Sequence, residues 1–401
     1  MKRLWLAAVA LLLAGSIGHG DEPLPARSWD ELKAETLARA ERGAYPVFHL
    51  DLKDVHEALD EIHSLSPEEW GAAWMKLGDM YFARARSRAA VEPDAARDEY
   101  LAAWRLYSLG GWPVALSPKK AESRAKAWQA FEAYGRMADP PIEFVRIPFE
   151  GKEIQITLQR PAGVARPPVV IGIAGSDLWR DYAAVTMRAF LPGGIAAITV
   201  DVPGTGDSPV AARPGAERVY SAIIDYIKSR PDLDGDRIVV RGESWGSYWA
   251  ARVGYAEASR LKGVVFQSGP VHDYFQKSWQ EKAFQTREFL FDYVPSRLHM
   301  LGVSSIDEAY AVMPTLSLES GNLIDRPTPP MLVIAGYRDT QVPFSDFELL
   351  LEHGSPKFAW VNPTGQTMGR SNTVKDQWIF ENVVVPWVRQ QFGMADGKKT
   401  D

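Results

Sequence analysis

The sequence predicts an α/β protein in which an all-helical N-terminal domain precedes a mostly parallel sheet of eight strands. From Ser28 to about Met137 the pattern is helical, with few strand signals. After Pro140-Pro141, short β-branched apolar runs alternate with helical stretches, which is typical of a sheet covered on both faces. Hydrophobic residues make up 46% of the 401 residues, so the composition supports a packed core and excludes a disordered or fibrous chain.

The helical domain is predicted over residues 21–140 from its helix start signals. Capping boxes open at Ser28 and at Ser66, and Ser117-Pro118 places a proline at a first helical position. Gly110-Gly111 ends the helix before that proline. We therefore expect four or five helices.

The sheet domain is predicted over residues 141–395. It begins with two alternating hairpin strands, Ile142–Phe149 and Lys152–Arg160. An aromatic-rich helical segment, about residues 271–325, interrupts the alternation after the sixth strand, and we interpret it as a lid. The remaining six strands are predicted at Val169–Ala174, Ala196–Val202, Ile238–Arg241, Gly263–Gln267, Met331–Ala335 and Phe358–Val361.

The first 20 residues are typical of a signal peptide. Lys2 and Arg3 precede an apolar run from Leu4 to Gly15, which is too short to span a bilayer. Small residues precede a cleavage point before Asp21. We expect export to the periplasm or the medium, with no integral membrane segment in the mature chain.

Charge and composition exclude several classes of partner and cofactor. The net charge of −6 becomes −8 without Lys2 and Arg3, at 43 basic against 51 acidic residues, so neither nucleic acid nor an anionic membrane is an expected partner. The chain has no cysteine, which excludes disulfides, thiolate metal sites and a cysteine nucleophile. The glycine-rich turn from Asp201 to Ser208 lacks both a Walker lysine and a dinucleotide fingerprint, so no cofactor is expected.

No metal site is expected either. His49, His56 and His63 recur every seven residues, but on a helix this spacing is about 10.5 Å, too far to share one ion. We expect them to mark one face of a helix.

The strongest chemical signal is Gly242-Glu243-Ser244-Trp245-Gly246, between a predicted strand and a predicted helix. A sharp strand-to-helix turn presents the serine hydroxyl at the carboxyl end of the sheet, and the flanking glycines permit the close approach that the turn needs. The Trp245 amide is the expected first oxyanion donor. The second is expected from the loop Gly175-Ser176-Asp177, with the Ser176 amide favoured. The alternative interpretation of residues 242–246 is a glycine-rich turn in which Ser244 has no catalytic role.

Asp339 is the candidate acid, because it follows the strand Met331–Ala335 in the chain order serine, acid, base. The alternative is a turn aspartate. The loop after the last strand should carry a histidine, yet Gln366, Thr367 and Met368 occupy the expected positions, and none accepts a proton near neutral pH.

His272 is the best substitute for the missing base, since it follows the sixth strand at the start of the lid. It would serve as a displaced base or a substrate contact, with a lid-hinge residue as the alternative. His353, at the end of a predicted helix, and His299, in the lid, are weaker candidates.

Together these motifs resemble the α/β-hydrolases with an N-terminal helical domain, a group that includes dihydroxypseudooxynicotine hydrolase, fungal polyketide-shortening hydrolases and the fermentation-respiration switch proteins. The resemblance implies an α/β-hydrolase fold, a serine nucleophile at Ser244, an acid at Asp339 and oxyanion amides near Ser176 and Trp245. It also implies cleavage of ester bonds, or of carbon–carbon bonds beside carbonyls, and leaves a homodimer open because several members form dimers. The motifs that carry it are Asp139 to Gly151, Ala174 to Asp177, Asp201 to Gly206, the turn at Ser244, and Gly336 with Asp339.

The sequence-based hypothesis is therefore an exported serine hydrolase with an atypical triad, acting on a small apolar or aromatic substrate. The competing hypothesis is a ligand-binding protein on a degenerate hydrolase scaffold, which the vacant base position favours. Lid aromatics such as Tyr274, Phe275 and Trp279 favour an apolar ligand.

Overall fold

The computed structural model describes residues 27–285, 287–365 and 376–394. The expected signal peptide lies outside these ranges, as do Gln366, Thr367 and Met368. No helix in the described part of the chain is both long and apolar enough to cross a membrane.

The N-terminal region is helical, and each start signal caps a helix. The capping box predicted at Ser66 is only half formed, because the Glu69 carboxylate accepts the His63 amide (2.8 Å) and the Ser64 hydroxyl (2.8 Å) instead of the Ser66 amide. The Ser28 hydroxyl accepts from the Glu31 amide, and the Ser66 and Ser117 hydroxyls likewise accept from the amides three residues on. A Cβ on Gly78 would lie 2.5 Å from the ring of Tyr107, so this glycine lets two helices approach closely. The helices are α1 Trp29–Glu41, α2 Leu52–Asp60, α3 Pro67–Arg88, α4 Pro93–Gly111 and α5 Pro118–Met137.

The expectation that His49, His56 and His63 share a helix face is wrong. Only His56 lies in a helix, α2, whereas His49 adopts a left-handed backbone with φ of 64°. The reason is that α2 begins only after its N-cap Asp51, whose carboxylate accepts the Lys53 amide, so His49 lies before the helix.

Eight strands form one sheet in the order β1-β2-β4-β3-β5-β6-β7-β8. Strands β3 to β8 run parallel, while β2 is antiparallel to both β1 and β4. The fold class is thus confirmed. The strands are β1 Ile142–Phe149, β2 Lys152–Gln159, β3 Pro168–Ile173, β4 Ala196–Val200, β5 Asp234–Glu243, β6 Gly263–Gln267, β7 Met331–Ala335 and β8 Lys357–Val361.

Strand β5 is longer than predicted, because Asp234 pairs with Pro168 at the start of β3 before the apolar run begins.

Helices cover both faces of the sheet. Ile171 and Val240 point into the core under α7 and α8, whereas Val170 and Val239 point into the core under α6 and the C-terminal helices, as the two-residue period of a strand requires. These helices are α6 Arg180–Met187, α7 Arg218–Ser229 and α8 Trp245–Ala256.

A helical segment separates β6 from β7, where the lid is predicted, and the N-terminal domain holds it through charged side chains. The Arg27 guanidinium donates to the carbonyls of Phe289 (2.8 Å) and Leu290 (2.9 Å), and the Lys120 ammonium lies 2.9 Å from the Asp292 carboxylate. The helices from this segment onward are α9 Lys277–Ala283, α10 Tyr293–Leu301, α11 Ile306–Val312, α12 Phe344–Glu352, α13 Asp376–Ile379 and α14 Val385–Gln391.

The start of this segment, residues 271–274, is fixed by one buried carboxylate. Asp346 in α12 accepts the amides of Val271 (2.7 Å), His272 (3.1 Å), Asp273 (2.6 Å) and Tyr274 (3.2 Å). Burial raises the pKa of Asp346 to about 6, although the four amide donors act in the opposite direction. One side chain therefore ties the base of the lid segment to the sheet domain.

Replacing Asp346 with asparagine is expected to lower the free energy of unfolding, because an amide NH₂ would face amide donors. The folded-state pKa near 6 exceeds the ordinary value near 3.8, so the folded chain binds the proton more tightly. The stability of the wild type relative to Asp346→Asn should therefore fall as the pH rises from about 4 to about 6. Urea denaturation across this range measures the difference, and identical pH profiles would contradict the assignment.

Candidate active site

Ser244 lies between β5 and α8 in a conformation that few L-residues adopt, with φ of 52° and ψ of −125°. The two flanking glycines explain how the turn fits. A Cβ on Gly246 would lie 2.3 Å from the carbonyl oxygens of Ile173 and Ala174, and one on Gly242 would lie 2.1 Å from the Gly246 carbonyl. Neither position has room for a side chain.

The turn leaves the Ser244 side chain half-buried rather than enclosed. The hydroxyl makes no hydrogen bond with any residue in the ranges that the structure describes. The backbone is held from below, where the Ser244 amide donates to the Gln267 carbonyl at 2.9 Å. A strained serine with a partly accessible hydroxyl is the arrangement of a nucleophile elbow.

Trp245 follows Ser244 directly, and the loop that carries Ser176 passes close to Ser244; their role as oxyanion donors stays a prediction. The Trp245 amide belongs to the first turn of α8, where amides have no partner within the helix. On the other side, a Cβ on Gly175 would lie 3.5 Å from Cβ and 3.9 Å from Oγ of Ser244. The carboxyl ends of β3 and β5 therefore bring the loop of Gly175 and Ser176 beside Ser244.

Ser176 and Asp177 are both buried, and each is held by a side chain from a different part of the chain. The Trp112 indole, from the end of the helical domain, donates to the Asp177 carboxylate at 3.1 Å. The Arg297 guanidinium, from α10, donates to the Ser176 hydroxyl. The loop after β3 is thus where helical domain, sheet and lid segment meet.

Arg297 is a residue that sequence reasoning did not single out. It is 2% exposed. Among the described residues, no ion pair joins its guanidinium to a carboxylate. Its pKa is nevertheless raised: burial disfavours the charged form, but electrostatic interactions with Tyr293, Tyr274 and Asp177 outweigh burial. The available signal was an arginine on the apolar face of α10, in register with Tyr293 and Met300.

Asp339 follows β7 at the same edge of the sheet, as predicted, and its side chain is half-buried. One carboxylate oxygen accepts the amides of Gln341 (2.8 Å) and Val342 (3.2 Å), which fixes the turn. Strand β6 separates β7, which precedes Asp339, from β5, which precedes Ser244. The two strands are therefore roughly 9–10 Å apart.

His272 follows β6 as predicted, and its ring contacts the lid segment. Nδ1 lies 2.8 Å from the Ser317 hydroxyl and 3.0 Å from the Glu319 carboxylate, while Nε2 lies 3.9 Å from the Asp273 carboxylate. Within the described ranges, no hydrogen bond joins His272 to Ser244 or Asp339. Its role as base stays a prediction.

A polar cluster supports the elbow from the opposite face of the sheet. Buried Arg241 donates to the Glu243 carboxylate (3.0 Å) and to the side-chain oxygen of Gln267 (2.9 Å). The Gln267 amide group then donates to Asp376 at 2.7 Å. The residue before Ser244 is therefore linked to the start of α13.

A cleft of about 180 Å³ opens beside the loop after β3. Ser176 is among its lining residues and Ser244 is not. The turn Thr205–Asp207 also contributes, so the glycine-rich turn after β4 borders this cleft. The other lining residues come from the helical domain, the loop after β3 and α10: Pro113, Val114, Ala115, Arg124, Trp179, Ser296 and His299.

Within residues 27–285, 287–365 and 376–394, no three His, Asp or Glu side chains are grouped so as to hold a metal ion.

Comparison with solved structures supports the fold. The crystal structure of the 2,6-dihydroxy-pseudo-oxynicotine hydrolase superimposes with a TM-score of 0.73, at 20% sequence identity, covering 87% of this chain and 95% of that one.

Sequence comparison identifies the family. Esterase FrsA of Photobacterium profundum is 27% identical over 278 residues, 67% of this chain and 65% of its own length. Hydrolase ORFZ of Pyricularia oryzae is 29% identical over 238 residues, 54% of this chain and 56% of its own length. The chain thus spans about two thirds or less of the length of these two relatives. A match to the family described as Esterase FrsA-like covers residues 51–382. The chain therefore belongs to the FrsA-like esterase family of α/β-hydrolase proteins.

Proposed function

We propose that this chain is an exported serine-dependent hydrolase that cleaves an ester, or a carbon–carbon bond beside a carbonyl, in a small apolar or aromatic substrate. The observation that carries the proposal is the elbow at Ser244. A strained serine persists only where the surrounding structure imposes it, and such strain is concentrated at functional sites. Membership of an esterase family supports the reaction type.

The proposed reaction begins with attack of the Ser244 hydroxyl on the substrate carbonyl carbon. The carbonyl oxygen then becomes an oxyanion, which the amides of Trp245 and Ser176 stabilise together with the N-terminus of α8. The base takes the Ser244 hydroxyl proton during this attack and passes it to the leaving group, which departs as the carbonyl re-forms. A water molecule, deprotonated by the same base, then attacks the acyl group, and the proton returns to Ser244 as the acid product leaves. Asp339 supports the base.

The identity of the base distinguishes the proposed mechanism from that of an ordinary Ser-His-Asp triad. His272 is the candidate in this chain, and the substrate's own oxyanion is the alternative. A hydrolase that lacks one triad member retains about 10³ to 10⁴-fold acceleration over water, from oxyanion stabilisation and binding. Slow turnover of activated esters is therefore expected even if His272 does not serve.

The cleft supports a small substrate. Its volume is about 180 Å³, and Pro113, Val114 and Trp179 give it apolar surface beside polar residues such as Arg124 and Asp207. Several lid aromatics are buried beside the elbow: the ring of Trp245 lies 5.7 Å from that of Tyr274 and 5.6 Å from that of Phe275.

Ligand binding without turnover is the second candidate function. One observation favours it: the His272 ring is engaged by Ser317 and Glu319 and has no hydrogen bond with Ser244 in the described ranges. Such a protein would keep the cleft and the lid segment but would not activate Ser244.

A fluorophosphonate probe separates the two functions. The wild type is expected to be labelled and Ser244→Ala is not, because the probe reacts only with an activated serine. His272→Ala should slow labelling by about 10²-fold or more if His272 is the base. His353→Ala is the matched control, since this histidine bonds Asp325 at 2.7 Å at the end of α12. The readouts are gel fluorescence and intact mass.

An unlabelled wild type would overturn the hydrolase proposal in favour of the binding protein. Unchanged labelling of His272→Ala would assign the base to another group.

Export has its own test. We expect a C-terminally tagged chain to be recovered outside the cytoplasm with Asp21 as its first residue, because Lys2, Arg3 and the apolar run to Gly15 have the features of a signal peptide. Replacing Leu11, Leu12 and Leu13 with glutamate should retain the chain in the cytoplasm. Fractionation with mass spectrometry of the N-terminus measures both, and a cytoplasmic wild type that retains residues 1–20 would contradict export.

A further inference from the structure

The loop after β3 carries a buried cation with an unusual set of partners. Arg297 donates from Nη1 to the Ser176 hydroxyl, and its Nε is buried without a hydrogen-bond partner among the described residues. Its guanidinium carbon lies 4.6 Å from the centre of the Tyr293 ring and 5.9 Å from that of Trp245. In the parts of the chain that the structure describes, no carboxylate comes within ion-pair distance of it.

A buried arginine normally has an acid partner, because an unpaired charge is costly to desolvate. Aromatic faces stabilise a desolvated guanidinium, but they offset only part of that cost. In the described part of the structure the Asp177 carboxylate stabilises this charge from a distance, but no carboxylate forms an ion pair with Arg297. The guanidinium is bonded instead to Ser176, in the loop where the oxyanion is expected to form.

The direction of the hydrogen bond decides what Ser176 can do. A guanidinium has donors and no acceptor, so the Ser176 oxygen must be the acceptor in this bond. The hydroxyl proton of Ser176 is then directed elsewhere, and it finds no acceptor in the described ranges. Ser176 is also a lining residue of the cleft, and Gly175 beside it lies against Ser244, so this loop borders both the cleft and the nucleophile.

We infer that the Ser176 side chain, polarised by Arg297, is a third oxyanion donor beside the amides of Trp245 and Ser176. Ser176 is the catalytic residue of the pair, since its hydroxyl would touch the oxyanion. Arg297 is a positioning residue. Its positive charge acts on the oxyanion through its hydrogen bond to the Ser176 hydroxyl. The inference rests on the proposed hydrolase function and deepens it.

The proposed arrangement explains why no carboxylate of the described residues pairs with this cation. A carboxylate bonded directly to Arg297 would neutralise it in the ground state, whereas an oxyanion beside Ser176 neutralises it only during the reaction. Interactions that strengthen only in the transition state raise kcat, whereas uniform binding lowers KM alone.

The test uses Ser176→Ala, Arg297→Gln and the double variant of the full mature chain, with 4-nitrophenyl acetate as substrate. Ser176→Ala should lower kcat on the order of 10²-fold while KM stays within about threefold, the effect of removing one oxyanion donor. Arg297→Gln should lower kcat similarly, and the double variant should fall no further than Ser176→Ala, because the two residues act as a unit. Ser176→Thr keeps a hydroxyl and should retain most of the activity.

Phenylboronic acid gives a second readout, because it forms a tetrahedral anionic adduct with an activated serine hydroxyl. Calorimetry should show its affinity falling in parallel with kcat in Ser176→Ala and in Arg297→Gln.

Two matched variants measure the cost of simply losing a buried group. Ser123→Ala removes a buried hydroxyl that donates to the Tyr107 carbonyl at 2.7 Å in the helical domain. Arg252→Gln removes a buried guanidinium that pairs with Glu217 at 3.0 Å. Both variants should have a lower melting temperature than the wild type. Their kcat, calculated per molecule that the fluorophosphonate probe can label, should be unchanged.

Three results would overturn the inference. An active wild type whose kcat is unchanged by Ser176→Ala would overturn it alone and leave the proposed function intact. A rise in KM without loss of kcat in Arg297→Gln would instead make Arg297 a ground-state binding residue. A wild type that neither hydrolyses the ester nor binds the boronic acid would overturn the proposed function and this inference together.

Discussion

The site depends on the close approach of the N-terminus of α8 to the end of β3. Carbonyl oxygens of Ile173 and Ala174 occupy the space where a Cβ of residue 246 would lie. Only a glycine allows this contact. Ser244, two residues before it, has a positive φ in the same turn. The strain is offset by burial of α8 against the sheet, where Tyr248 and Trp249 are fully enclosed.

A second constraint is that the segment above the site is held from two directions. The helical domain binds it through Arg27 and Lys120, by contacts with backbone carbonyls and with Asp292. The sheet domain holds its base through the four amides that Asp346 accepts. Because both anchors use buried or partly buried charge, displacing the segment would expose groups that need their partners. The position of Arg297 over the loop after β3 follows from this anchoring.

Much of the fold could be predicted because its signals are local. Ser28, Ser66 and Ser117 begin helices through hydrogen bonds that span three residues, and such bonds can be read directly from the chain. The β-branched runs likewise indicate strands through residues that are neighbours in the chain. The histidines at 49, 56 and 63 show the limit of this reading, since a seven-residue spacing does not reveal that Asp51 starts a new helix between them.

The sequence by itself determined which residues reach the carboxyl edge of the sheet. Ser244 and Asp339 follow parallel strands, and parallel strands end at one edge whatever the details of packing. Only the tertiary structure decided what surrounds them. Arg297 meets Ser176 across 121 residues, and Trp112 meets Asp177 across 65, because the helical domain, the sheet and the lid segment converge on one loop. No local pattern encodes such a contact, since it depends on how the layers are packed and not on the order of neighbouring residues.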